Sequence, residues 1–66
     1  MNELQIDDWA EVIYTKESRF GRIINSDPHY PDILWIDLWG KFPTSYARGY
    51  LRKITEADAM IRILEL

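Results

Sequence analysis

The sequence contains no cysteine. Disulfide bonds, thiolate metal sites and cysteine nucleophiles are therefore excluded, and the absence is typical of a reducing compartment. No run of about 18 apolar residues occurs, and the amino-terminal segment MNELQIDDW does not combine a basic stretch with an apolar one. Neither a membrane span nor a signal peptide is predicted, and we expect a cytoplasmic protein.

Glycine is also scarce. The three glycines, at positions 21, 40 and 49, do not form the GxGxxG or GxxxxGK[ST] loop that holds a nucleotide phosphate. Histidine occurs once, as His29 in the segment PHYP, without a serine or cysteine nucleophile signature nearby. Because a chain of 66 residues rarely encloses a pocket that tunes a general acid or base, we expect no enzymatic activity.

The acidic residues do not match a known metal site. Asp27, Asp32 and Asp37 have no calcium-loop spacing, and the first two flank prolines, as turn residues often do. No metal and no cofactor are therefore expected.

Basic residues are in the minority, with 8 against 11 acidic residues and a formal net charge of −3. This balance argues against general binding of polyanions. The length of 66 residues predicts one domain, residues 1–66, with a small hydrophobic core.

Short apolar runs separated by turn residues every 8–12 positions or so are typical of a small all-β barrel or sandwich. Residues 8–15 predict a first strand, because they are rich in branched and aromatic side chains. Its expected core face carries Ala10, Val12 and Tyr14, and the alternate residues, beginning with Trp9, lie on the other face.

Glycine interrupts two further predicted strands. In residues 20–25, Gly21 would permit a bulge or a close backbone approach. In residues 46–54, Gly49 predicts an interruption by a bulge or a short 3₁₀ turn.

Residues 33–39 give the clearest strand pattern, and they follow the turn segment SDPHYPD. Leu34, Ile36 and Leu38 alternate onto one face and predict the core. Trp35 and Trp39 share the opposite face with an aspartate. These two rings either pack beneath another element or remain exposed to a partner.

The last segment changes to a helical period. Thr55 begins a capping-box pattern, so we predict a helix over about residues 56–65. The apolar positions Ala57, Met60, Ile61 and Leu64 have the spacing of a buried stripe, whereas Ile63 and Leu66 fall off it. The helix either covers the barrel or leaves an apolar edge, formed by Met60, Ile61, Ile63, Leu64 and Leu66, for a homodimer.

The sequence resembles the small SH3-like barrels typified by KOW and Tudor domains, over residues 6–54. The matching positions are Asp8, Ala10 and Val12 of an opening GDxVxV strand, Gly21 and Ile23 of a GxV strand, and Leu51 and Ile54 of a closing xxLxxI strand. Asp7 stands where the glycine of the opening motif is usual. The resemblance implies a mainly β fold, a barrel of four to five antiparallel strands followed here by a short C-terminal helix. Domains of this kind bind peptides or nucleic acids, or serve as subunits of assemblies.

Aromatic and basic residues supply the candidate binding site. If at least one tryptophan stays exposed, neighbouring aromatic residues extend it into a patch that anchors a partner. Basic residues from the closing strand would then form a rim around that patch, the alternative being scattered solubility charges. The predicted partner-binding residues are Tyr30, Trp35, Trp39, Phe42, Tyr46, Arg48 and Arg52.

Three functions fit this pattern. The leading hypothesis is a non-enzymatic protein-interaction module or small accessory subunit, whose partner presents an acidic protein surface. The second is a KOW-like nucleic-acid-binding domain, and the third is an aromatic cage for methylated lysine or arginine.

Overall fold

The computed structural model describes residues 4–65. This part of the chain forms five β-strands, a 3₁₀ turn and one α-helix. The strands are β1 (Trp9–Val12), β2 (Phe20–Ser26), β3 (Ile33–Leu38), β4 (Thr44–Ala47) and β5 (Leu51–Lys53). The 3₁₀ turn is Arg48–Tyr50, and the helix α1 is Glu56–Leu64. The predicted mainly β class with a short C-terminal helix is confirmed.

The strands form a single antiparallel sheet in the order β4-β3-β2-β1-β5. Its inner face carries the main hydrophobic core. As the alternation in β3 predicted, Leu34, Ile36 and Leu38 are buried there. The core is completed by Leu4, Ala10, Val12, Ile23 and Leu51, with Tyr46 packed against it.

β1 is shorter than predicted, and Tyr14 does not belong to the core. The strand ends at Val12, and Tyr14 adopts a left-handed backbone with φ 65°. This turn rotates the side chain out of the alternation, so that Tyr14 is 83% exposed and lies edge-on to Tyr50 at 6.0 Å. The prediction of an inward-facing Tyr14 is wrong, because alternation holds only while the backbone stays extended.

Gly21 permits a close approach between β2 and β3. A Cβ atom at this position would overlap the Asp37 carbonyl oxygen and lie 2.7 Å from the Asp37 carbonyl carbon and 2.9 Å from Leu38 Cα. The bulge of β2 lies farther along, between Ile23 and Asn25, where the register with β3 shifts. Of the two predicted roles, Gly21 therefore has the close approach.

The helix begins where the sequence predicted. Thr55 caps it, since its hydroxyl accepts a hydrogen bond of 3.0 Å from the Asp58 amide, and it ends at Leu64 with Glu65 as the last capping residue. Leu66, which the prediction placed at the edge of the helix, lies outside the described residues.

The helix covers part of the outer face of the sheet, and it does so with a different side from the predicted one. Ala59 is fully buried and Ile63 half-buried against Phe20 and Ile54. The stripe of Ala57, Met60, Ile61 and Leu64 faces away from these contacts and is exposed. Of the two alternatives, the stripe is the apolar edge that stays exposed, whereas the helix packs on the sheet through Ala59 and Ile63.

The 3₁₀ turn forms where the interruption near Gly49 was predicted, and it connects β4 to β5 at opposite edges of the sheet. No helix in the described part of the chain is both long and apolar enough to cross a bilayer.

The approach at Gly21 predicts a large effect of one methyl group. Gly21→Ala should lower the free energy of unfolding by about 3 kcal/mol or more, since β2 and β3 must separate to accept the Cβ atom. Gly49→Ala is the matched control, because a Cβ atom added there would meet nothing within 4 Å. Urea denaturation measures both. Equal midpoints for the two variants would contradict the account of the sheet.

Candidate functional site

A row of three side chains crosses the outer face of the sheet. Trp9 pairs with Arg22 between β1 and β2, and Arg22 pairs with Asp37 between β2 and β3. Directly paired residues project from the same face. The Arg22 guanidinium carbon lies 5.2 Å from the centre of the Trp9 ring, within the range of a cation–π contact. A cation thus stands between an indole and a carboxylate.

Trp35 and Trp39 project from the same outer face as Asp37. Trp35 is 38% exposed and Trp39 49% exposed. Although β3 ends at Leu38, the Trp39 amide donates a hydrogen bond of 2.8 Å to the Phe20 carbonyl, so the backbone at Trp39 remains attached to β2. Both indoles are therefore held on the hydrogen-bonded sheet while a substantial part of each residue stays exposed.

We call the part of the outer face that carries Trp35 and Trp39 the tryptophan face. A groove separates it from the helix. It has a volume of about 410 Å³ and is lined by Trp9, Arg22, Asp37, Trp39, Met60 and Ile63. We call it the sheet–helix groove. Its walls are indole rings and aliphatic side chains, and its polar groups are one guanidinium and one carboxylate.

The exposed side of the helix continues the apolar surface beyond the groove. Ala57, Met60, Ile61 and Leu64 form what we call the helix stripe, and the last three are 39%, 53% and 84% exposed. Successive helical residues are about 100° apart, which places this stripe next to the side that lines the groove. Met60 belongs to both features. Trp39 likewise lines the groove, so the stripe, the groove and the Trp39 end of the tryptophan face adjoin one another.

A smaller hollow of about 390 Å³ lies at the β3–β4 turn, lined by residues 37–42. Gly40 makes this turn with a positive φ of 71°. Phe42 follows it and is 88% exposed, so the turn brings Phe42 and Trp39 to the same hollow. Phe42 thus extends the tryptophan face at one end.

The other predicted aromatic residues lie elsewhere. Tyr30 is in the β2–β3 loop, before the other end of β3, where Asp27 accepts hydrogen bonds from the His29 and Tyr30 amides. Tyr46 pairs with Leu34 and packs against the core. Its hydroxyl accepts a hydrogen bond of 3.0 Å from Arg19.

The hydrogen bonds of Arg19 to Tyr46 and Glu17 raise the pKa of the Arg19 guanidinium. Arg19 is therefore a permanent positive charge that holds the Tyr46 hydroxyl on the core side of the sheet. The structure does not bring Tyr46 together with Trp35 and Trp39.

The two predicted rim arginines are also remote from the tryptophan face. Arg48 donates hydrogen bonds to the carbonyl of Leu4 at 2.8 Å and of Pro31 at 3.4 Å. Arg52 lies on β5, which two strands separate from β3, a distance of roughly 14 Å at ordinary strand spacing. The cations beside Trp39 are instead Arg22 and Lys41.

Arg52 takes part in a second constellation, which attaches the helix. It forms an ion pair with Glu11, and Arg62 of the helix contacts the other oxygen of the same carboxylate at 2.6 Å. Glu11 is only 8% exposed, and the Arg62 guanidinium carbon also lies 5.9 Å from the centre of the Phe20 ring. Removing one arginine from a buried carboxylate that contacts two arginines lowers stability, because part of the buried charge is left unpaired. These contacts fix the rotation of the helix and hence the position of the stripe.

Sequence reasoning did not identify the part that Trp9, Met60 and Ile63 play in the groove. The alternation placed Trp9 on the outer face, which was a usable signal, but it did not reveal that Arg22 and Asp37 are its neighbours. That information requires the register of three strands. Among residues 4–65, no three histidine, cysteine or acidic residues lie close enough together to hold a metal ion.

Comparison with known proteins finds no match, whether with family models, with characterised proteins or with solved structures. The residues of the site itself are therefore the basis for inferring function.

The partial exposure of Trp39 predicts a moderate stability effect. Trp39→Ala should lower the free energy of unfolding by roughly 1–2 kcal/mol, since about half of the ring is buried, and should leave the fold intact. Phe20→Ala is the comparison, because Phe20 is 2% exposed and its loss should cost about 3–5 kcal/mol. Chemical denaturation followed by circular dichroism gives both values. A loss at Trp39 as large as that at Phe20 would mean that the indole is a core residue.

Proposed function

We propose that this chain is a non-enzymatic protein-interaction module or small accessory subunit, which binds its partner through the tryptophan face, the sheet–helix groove and the helix stripe. The proposal rests on the observation that these three features adjoin one another. The half-exposed Trp39, a groove with apolar walls and three exposed aliphatic side chains adjoin one another, and Trp35 lies farther along the same face of β3.

The surface has the composition of protein-binding sites. Tryptophan is enriched among the residues that contribute most to binding energy, and a concave pocket beside it receives a side chain of the partner. Trp35 and Trp39 are held by the hydrogen-bonded sheet, so little conformational freedom is lost on association. A rigid apolar anchor next to a groove supports binding of an apolar or amphipathic protein segment.

We also propose that the fold is SH3-like, and the arrangement of the strands supports this. The order β4-β3-β2-β1-β5 returns β5 to the side of β1, and a 3₁₀ turn connects β4 with β5. Asp7, which stands in place of the usual glycine of the opening motif, has the positive φ of 77° that glycine adopts readily. Because the sequence contains no cysteine, which is typical of a reducing compartment, we propose that this domain acts in the cytoplasm.

Charge pairing favours a protein partner over a nucleic acid. Carboxylates contact five of the basic side chains, namely Arg19, Lys41, Arg52, Lys53 and Arg62. Arg22 lies over Trp9, and Arg48 binds backbone carbonyls. Phosphate binding relies on positive charges grouped on one face, and these contacts divide the charges among several acidic partners.

The aromatic cage also has a supporting observation, since Trp9, Trp39 and Asp37 line one groove. Two indoles and a carboxylate are the groups that recognise a methylated cation. Arg22 already lies over the Trp9 ring in this groove. A methylated side chain would have to displace it, which favours an apolar partner that packs beside Arg22 instead.

Nucleic-acid binding is tested by titrating labelled single- and double-stranded oligonucleotides at low and high salt. We expect no binding at either salt concentration, because carboxylates within the fold contact five of the eight basic side chains. Binding at low salt that weakens steeply as salt rises would support the nucleic-acid alternative and contradict the proposed function.

Capture of partners from native lysate tests the protein-binding proposal. Proteins retained by the tagged wild-type chain should be lost with Trp39→Ala, whereas Tyr30→Ala should retain them, because Tyr30 lies in the loop at the other end of β3. Both variants remove an exposed aromatic ring, which makes Tyr30→Ala the matched control. Mass spectrometry of the retained proteins gives the comparison. Unchanged capture by folded Trp39→Ala would refute the proposed surface.

A further inference from the structure

We infer that the occupant of this surface is a second copy of the chain, in a two-fold dimer in which the helix stripe of each copy lies in the sheet–helix groove of the other. The inference rests on the proposed function, because it names the partner of the same surface. Its support comes from the shape, the charge and the size of the surface.

The shape is self-complementary. A two-fold interface uses the same patch on both subunits, so the patch must contain both a projecting part and a receiving part. Here the helix stripe projects, with Leu64 84% exposed, and the groove beside it has a volume of about 410 Å³. Because Met60 is shared by both features, they adjoin without an intervening polar strip. Rotating one copy by 180° therefore brings each stripe opposite the groove of the other copy.

The charge of the patch allows two copies to approach. Arg22 and Asp37 are the charged residues that line the groove, and they carry opposite signs. The stripe consists of uncharged residues only. The patch is thus nearly neutral in a chain with a net charge of −3, so two identical patches meet without the repulsion that other acidic surfaces would cause. A partner of opposite charge is not required.

The size of the patch suits a weak dimer. The large exposed side chains of the groove and the stripe are Trp39, Met60, Ile61 and Leu64. An aromatic side chain can bury about 150–250 Å², so these partly exposed groups offer on the order of 400 Å² per copy. Twice this area lies below about 1,200 Å², in the range of weak and transient interfaces.

Leu64→Lys is the sharpest variant for a test. Leu64 is the most exposed residue of the stripe, so its replacement does not disturb the core. A lysine in the last helical turn interacts favourably with the helix dipole, and it reduces the net negative charge of the chain. Loss of association by this variant is therefore not explained by helix fraying or by increased repulsion. Tyr30→Lys makes the same kind of substitution at an exposed aromatic ring outside the patch.

Sedimentation equilibrium of the full chain from micromolar to millimolar concentration measures the association. The wild type and Tyr30→Lys should approach twice the chain mass of 7.9 kDa. Leu64→Lys should raise the dimer dissociation constant by at least about 100-fold, since each interface loses two buried leucines. Tryptophan emission of the wild type should shift to shorter wavelength as concentration rises, because Trp39 becomes buried.

A wild-type chain that stays at the monomer mass at the highest concentration would overturn the inference. So would a dimer that folded Leu64→Lys leaves unchanged, because the contact would then involve another surface. If the wild type is monomeric but Trp39→Ala still loses the captured proteins, only the second copy is refuted and the proposed function stands. If capture also persists in Trp39→Ala, both fail.

Discussion

The outer face of the sheet carries more apolar surface than a helix of nine residues covers. This mismatch leaves part of the outer face exposed to solvent. The inner face is closed by aliphatic side chains from four of the strands together with Leu4 and Tyr46, whereas within residues 4–65 it is α1 that shields the outer face. Because the helix lies over Phe20 and Ile54, the part of the face that carries Trp35 and Trp39 remains open. The uncovered region therefore lies beside the helix, on the part of the outer face that α1 does not reach.

The position of the helix is set by electrostatics as well as by packing. Glu11 lies beneath the helix and contacts Arg62 from the helix and Arg52 from β5. A helix that packed only through Ala59 and Ile63 would have little to prevent rotation about its axis, because aliphatic contacts are not directional. The ion pairs fix one rotation, and that rotation turns Met60 toward the groove and Ile61 and Leu64 toward solvent. Glu11 thus influences a surface with which it has no contact.

Much of this fold was predictable from local patterns. Alternation in residues 33–39 identified both the core residues and the outward direction of the two tryptophans, since a strand imposes period two on its side chains. Thr55 and the residues after it identified the helix, and Gly21 marked a close approach. Each of these predictions depends on residues that are neighbours in sequence, and each agrees with the structure.

The incorrect or incomplete predictions required information that a local hydrophobic pattern does not carry. Tyr14 is exposed because a left-handed residue ends the alternation, which no hydrophobic pattern reveals. The helix turns Ala59 inward and leaves the longer apolar stripe outside, with Arg62 held by Glu11 of the first strand, a contact that joins distant parts of the chain. Arg52 does not lie beside the tryptophans because the strand order places β5 at the edge opposite β4, and Arg48 instead donates hydrogen bonds to the carbonyls of Leu4 and Pro31. The Trp9, Arg22 and Asp37 row likewise exists only through the register of three strands.

The edges of the sheet determine what kind of assembly this exposed surface favours. β4 has four residues and follows Pro43, and β5 has three residues. Short edge strands, particularly beside a proline, are poor templates for adding further strands from other molecules. Cross-β stacking, which would lead to fibrils, therefore has little backbone on which to start. A protein with so many exposed apolar side chains is in this way directed toward finite complexes formed through side chains, and away from open-ended aggregation.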